Sequence, residues 1–176
     1  MLRFSKRQLE QNMTQAHVLK PYQDKIIDLM LKQETLLANL YQIFAKKFPV
    51  YEKLWHKLSR EEKKHAGWIE QLHTASEKKV VLFNEGRVKP AHLETFVLNI
   101  EKKIKQAEAD GFTARQALVC TIELERSLIE KEVFLHFVGI TEKARNVMSF
   151  LAKETKEHQE LAENLYAKTL GNKSRG

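Results

Sequence analysis

Apolar residues recur at helical spacing along almost the whole chain, interrupted by a few short polar or Pro/Gly-marked stretches. Ile27, Met30, Leu31, Leu37, Ala38, Tyr41, Phe44, Ala45 and Phe48 predict one long helix from about Tyr22 to Lys47. Pro21 suits its first turn, and Phe48-Pro49 stops it. Trp55, Leu58, Ile69 and Leu72 predict a second helix over about Tyr51 to Thr74, antiparallel to the first because the connection is short. From Ser76 to Pro90 the pattern breaks: Val80 to Phe83 is continuously apolar, and Asn84-Glu-Gly86 is a turn signal, so a crossover connection belongs here. Leu93, Phe96, Val97, Ile100 and Ile104 predict a linking helix over about Ala91 to Asp110. After Gly111-Phe-Thr113, a capping-box pair, Thr113 and Gln116, opens a helix expected to run to Val138 and end at Gly139. A last helix is predicted from Thr141 to Gly171, and a short one over Ser5 to Val18.

The expected fold class is therefore all-α: a four-helix bundle with a long crossover connection and an extra linking helix. Composition agrees, since six Gly and three Pro in 176 residues leave little room for turns. Residues 21–171 form the expected bundle domain, with a basic segment at 1–20 and a polar tail at 172–176. No apolar run approaches the roughly 18 residues of a membrane span, which argues against a membrane partner. The first residues lack the apolar stretch of a secretory signal, and a cytoplasmic location is expected. Cys120 stands alone, so no intrachain disulfide framework and no Cys-rich metal knuckle can form. The net charge of +7 suggests nucleic acid at first sight. Its Lys and Arg residues are interleaved with Glu along every helix, as Lys102, Lys103 and Lys105 are with Glu101 and Glu108. That spacing describes a solvated helical surface and counts against a nucleic-acid partner.

Three polar residues break the apolar stripes at informative places. Glu34 sits in the middle of the first, with hydrophobic residues a turn away on both sides. Glu62 and His65 lie one turn apart on the core face of the second. A buried acid is costly unless something pairs with it. Taken alone, Glu34 has a plain reading as a partner for a Lys or Arg of another helix. A Glu on one helix with Glu-x-x-His on the next is also half of the carboxylate-bridged di-metal site of helix bundles.

The other half comes from an internal repeat. Leu58 to His65 aligns without gaps on Leu151 to His158, an offset of 93 residues, and Glu34 maps onto Glu125, 91 residues on. Glu125 lies on the stripe Leu118, Thr121, Leu128, Glu132 and Leu135. The second copy is incomplete, because Thr155 stands where Glu62 stands in the first. Glu154 is a candidate to rotate in as a substitute, with Glu157 further from that face. The remaining set, Glu34, Glu62, His65, Glu125 and His158, offers mixed oxygen and nitrogen ligation suited to iron or manganese, as two ions or as one. His17, His56, His73, His92 and His136 fall in no such constellation, and Cys120 reads as a packing thiol.

The run from Glu34 to Pro49, followed by Trp55, Leu58 and Glu61-Glu62-Lys-Lys-His65, resembles the first hairpin of the rubrerythrin-type ferritin-like family. The resemblance implies a ferritin-like bundle and a non-haem di-iron centre. It also implies peroxide reduction or ferrous-iron oxidation, peroxide or dioxygen as substrate, and a homodimer. On this resemblance Glu34, Glu62, His65, Glu125 and His158 occupy ligand positions. Thr155 departs from the pattern, as do Ile122 and Leu128, which stand where the family tends to carry a further Glu. A single cysteine cannot build a rubredoxin site, so electrons would come from a separate donor protein. The bland alternative is a bundle with a partial metal site or none, acting as a structural or interaction protein. Tyr41, two turns from Glu34, is either a core aromatic or a hydrogen-bond donor at the centre.

Overall fold

Pro21 opens the first helix, α1 (Pro21–Lys47), and Pro49 turns the chain through a short 3-10 segment, Pro49–Tyr51, into α2 (Glu52–Glu77). The computed structural model describes residues 21–77, 81–83, 89–131, 137–139 and 142–171. Among them follow β1 (Val81–Phe83), α3 (Pro90–Glu108), α4 (Ala114–Lys131), β2 (Phe137–Gly139) and α5 (Glu142–Gly171). The short helix expected over Ser5 to Val18, the polar tail, Glu132, Leu135, His17 and His136 lie outside the described residues.

The described chain is thus helical, apart from one small antiparallel pairing in which Leu82 faces Val138. That pairing corrects the expected course of the fourth long helix. Phe137 to Gly139 is strand rather than the last turn of a helix, and it pairs with Val81 to Phe83 from the crossover. Phe137 and Val138 are β-formers next to Gly139, and an extended partner outweighs weak helical periodicity there.

The linking helix does more than link. It runs parallel to α1, and Lys25–Glu94 and Lys32–Glu101 ion pairs join the two helices at matching seven-residue steps. Its whole apolar stripe, Leu93, Phe96, Val97, Ile100, Ile104 and Ala107, is buried. As a result α1 is covered on two sides, and Ile26, Gln33 and Leu40 are buried beyond the single predicted stripe.

The turn between α3 and α4 is tightly specified. Asp110 adopts φ 57°, and backbone bonds from Asp110 to Ala107 and from Gly111 to Gln106 form the two-bond cap of a helix ending in a left-handed residue. The left-handed position is Asp110, not Gly111. Gly111 is required for room, because a Cβ there would meet the Gln106 carbonyl oxygen at 2.9 Å. The expected capping box then forms: Thr113 N–H donates to Gln116 Oε1 at 2.8 Å, and Gln116 N–H donates to Thr113 Oγ1 at 3.3 Å.

One end of the interior is closed by aromatic rings. Phe44 lies 5.4 Å from Trp55 and 5.3 Å edge-on to Phe112, with Phe48 and Tyr51 packed around Trp55. Polar groups between this plug and the middle of the fold find partners within the chain. Trp55 Nε1 donates to Thr121 Oγ1, and Ser59 Oγ donates to the Ala38 carbonyl. Above that dry floor sit the buried acids.

Candidate metal centre

Four helices bring the five sequence-predicted residues together. Glu34 comes from α1, Glu62 and His65 from α2, Glu125 from α4 and His158 from α5, and every one is at most 1% exposed. They form two overlapping groups, Glu34 with Glu62 and His65, and Glu62 with Glu125 and His158. Within each group, one ligand atom per residue lies within 4.8 Å of the others. Glu62 belongs to both. Its Oε2 is 2.9 Å from His65 Nδ1, and its Oε1 is 2.9 Å from His158 Nδ1. Glu34 Oε2 approaches His65 Nδ1 at 3.5 Å, and Glu125 Oε2 approaches His158 Nδ1 at 3.6 Å. The two imidazoles stack 5.4 Å apart, tilted by 17°. The duplicated hairpins therefore meet about a local pseudo-symmetry in which Glu34 answers Glu125 and His65 answers His158.

The outer nitrogens are held just as symmetrically. Glu154 Oε2 lies 3.0 Å from His65 Nε2, and Glu61 Oε2 lies 2.9 Å from His158 Nε2. An ionised carboxylate only accepts, so each Nε2 carries a proton; were a metal bound, each ring would be neutral and its Nδ1 lone pair would point inward. This arrangement orients imidazoles at metal sites generally. It also bears on Glu154, the candidate substitute. Being one residue before the Thr155 position, it reaches across to the opposite histidine from the rim and does not substitute for the missing carboxylate. Glu61 is its mate in the first repeat, a role missed although the alignment places Glu61 over Glu154. Gln33 was missed too: its Nε2 donates to Glu34 Oε1 at 3.3 Å from the second buried face of α1.

The charges of the cluster compensate one another. Burial, then the charge of Glu62, push Glu34 up to about 8, and the same two causes raise Glu125. Burial works against a charged Glu62 as well, yet His158 and His65 hold it well below the ordinary carboxylate range. Burial opposes protonation of His65, but Glu34 and Glu62 raise it to about 10. Glu125 and Glu62 likewise raise His158 to about 11. Without a cation, protons on the imidazoles balance the acids.

Four atoms of the inner cluster, Glu34 Oε2, Glu62 Oε1, Glu125 Oε2 and His158 Nδ1, are buried without a hydrogen-bond partner, as is Gln33 Oε1 beside them. Glu62 Oε1 and His158 Nδ1 are close yet not aligned for a hydrogen bond, whereas Glu62 Oε2 and His65 Nδ1 are hydrogen-bonded. Among the described residues no Lys or Arg pairs with Glu34, Glu62 or Glu125. Lys64 and Lys57 reach only the rim, at Glu154 and Glu61. The plain reading of Glu34 as an ion-pair partner for a basic side chain therefore has no support here. Buried groups of this composition can hold a metal ion.

Tyr41 adjoins the cluster and donates its hydroxyl to Glu125 Oε1 at 2.6 Å. Ile122 is half-buried and Leu128 is buried, so neither adds a ligand. His56 and His92 are exposed, and His73 lies 3.4 Å from Asp24 at the surface. Cys120 is buried, and burial pushes its thiol up to about 11, which leaves it protonated. No described helix is long and apolar enough to cross a membrane. No family model, curated protein or solved structure matches the chain.

Proposed function

We propose that the chain is a ferritin-like metalloprotein of the rubrerythrin type, whose carboxylate-bridged iron centre reduces peroxide or oxidises ferrous iron. The carrying observation is Glu62, with each carboxylate oxygen facing a different inward-pointing Nδ1. Glu34, Glu62 and His65 would hold one ion, and Glu62, Glu125 and His158 the other. A ferrous pair supplies two electrons when bound, enough with two protons to take one peroxide to two waters.

The chain's own residues do the rest. The aromatic plug and the apolar faces of four helices exclude water, which strengthens every charge interaction inside. Glu61 and Glu154 fix the imidazoles from the rim. Tyr41 keeps one oxygen of Glu125 occupied and so aims the other at His158. Electrons return from a donor outside the bundle, because its one cysteine cannot provide a thiolate cluster.

Anaerobic loading with ferrous iron, followed by metal analysis and peroxide titration, tests this reading. Bound iron that peroxide oxidises, lost in Glu62→Ala, supports it. Protein that binds no iron, or a Glu62→Ala variant that keeps a full complement, overturns it. Iron that binds but resists peroxide and dioxygen leaves a metal-binding module without turnover, the reading that Thr155 favours.

A further inference from the structure

The rims of the two halves match, since Glu61 answers Glu154, yet the residues just outside them do not. Continuing the repeat past the histidines pairs Trp68 with Leu161, and one step before Leu58 and Leu151 it pairs Lys57 with Phe150. Aromatic rings therefore extend the centre outward on one side only. The imidazoles of His158 and His65 stack 5.4 Å apart, and Trp68 stacks on His65 at 5.6 Å with a 30° tilt. Phe150 lies 6.4 Å beyond Trp68, tilted by 40°. His65 is 1% exposed, Trp68 is half-buried and Phe150 is 53% exposed, so the column runs from the dry interior to solvent.

A large apolar ring left in water at the end of that column gains the fold little. The other end touches a residue of the centre. Lys64 Nζ sits 5.3 Å from the centre of the Trp68 ring, and a cation there opposes removal of an electron from the indole. The ring is thus suited to pass electrons between its neighbours without being consumed as a reductant. The proposed reaction needs such a passage, because peroxide takes two electrons from a buried centre and the chain's one cysteine builds no cluster to replace them.

Resting on the proposed metal centre, we infer that Trp68 is the electron relay of this chain: an external one-electron donor makes contact at Phe150, and each electron passes through the Trp68 and His65 rings to the interior. No bond forms or breaks along the way. Two donor molecules, each giving up one electron, restore the pair that one peroxide removes, and the two protons of that reduction come from solvent.

Pulse radiolysis of the full chain tests the path without turnover. The dibromide radical anion takes one electron from an accessible indole and becomes two bromides, while the indole N–H proton leaves to water. Of the two tryptophans Trp55 is fully buried, so the tryptophanyl radical of metal-free wild type should form at Trp68 and be lost in Trp68→Phe. In zinc-loaded protein it should decay as in the metal-free chain. In anaerobic ferrous protein an electron from the interior and a proton from water should refill the indole, giving a new first-order decay phase independent of protein concentration. In the opposite direction, reduction of the peroxide-oxidised protein by a sulfonated viologen radical, a flat one-electron donor, should lose most of its rate in Trp68→Leu and keep most of it in Trp68→Phe, compared at equal iron content. Equal radical decay in zinc and ferrous protein, a radical that persists in Trp68→Phe, or a Trp68→Leu variant reduced as fast as wild type would overturn the inference and leave the centre standing. Should Trp68→Leu fail to fold by circular dichroism, radical decay in wild type decides alone. A wild-type chain that binds no iron would instead sink the proposed metal centre, an outcome read by metal analysis before any pulse.

Discussion

Glu61 and Glu154 are the sharpest place to perturb the centre without touching its inner groups. Each sits at the rim, with its side chain 22% and 23% exposed, and each accepts from the outer nitrogen of the opposite histidine at 2.9 and 3.0 Å. Removing either leaves the inner carboxylates and both Nδ1 atoms in place. What changes is the tautomer and orientation of one ring, together with the basicity of its inward nitrogen. Outer partners of this kind are worth about 10- to 100-fold in metal affinity, or about 1.4–2.8 kcal/mol.

Glu61→Ala and Glu154→Ala should therefore each weaken manganese or cobalt binding by that factor, and by similar amounts, because the repeat relates them. The Gln variants keep an acceptor but lose the charge and should fall between Ala and wild type. Because water reaches the rim, metal-free stability should change by no more than about 1–2 kcal/mol. Competition with a chelator gives the affinity, and thermal unfolding of the metal-free protein gives the control. Affinities within twofold of wild type would refute the positioning role. Complete loss in Glu154→Ala alone, matching Glu62→Ala, would mean that Glu154 is a ligand after all.

Three further outcomes follow from the same geometry. His65 and His158, raised to about 10 and about 11, and Glu34, raised to about 8, keep protons in the fold that the unfolded chain would release. The metal-free protein should therefore melt at progressively lower temperature as pH rises from about 6 to about 9, whereas manganese, which displaces those protons, should stabilise more at the higher pH. A metal-free melting temperature that rises over that range contradicts the charge pattern. Tyr41→Phe strips Glu125 Oε1 of its donor in a buried site and should cost about 1–3 kcal/mol in urea unfolding of the metal-free protein, and a neutral result would deny that hydrogen bond. Gly111→Ala drives a methyl group against the Gln106 carbonyl and should cost about 1–3 kcal/mol without altering metal affinity, measured by the same two assays.

Much of this was legible in the sequence because helical periodicity and a buried acid are local signals. Glu34, Glu62 and His65 betrayed themselves by interrupting apolar stripes, and the repeat carried the reading to Glu125 and His158. What escaped depends on neighbours that periodicity does not identify. Ile26, Gln33 and Leu40 are buried only because α3 covers a second side of α1. Phe137 to Gly139 is extended because a distant strand pairs with it. Glu154 was a candidate for the inner cluster, left open because the pattern of one helix ignores the histidine across from it. Asp110, not Gly111, takes the left-handed turn, since its location depends on where the last helical hydrogen bonds close.

Anomalous diffraction at the iron edge, from crystals of anaerobically loaded protein, puts the sharing of Glu62 to the most direct test. Iron peaks should lie between Glu62 and Nδ1 of His65 and between Glu62 and Nδ1 of His158. Diffraction from iron-soaked crystals showing no iron between Glu62 and either imidazole would contradict it.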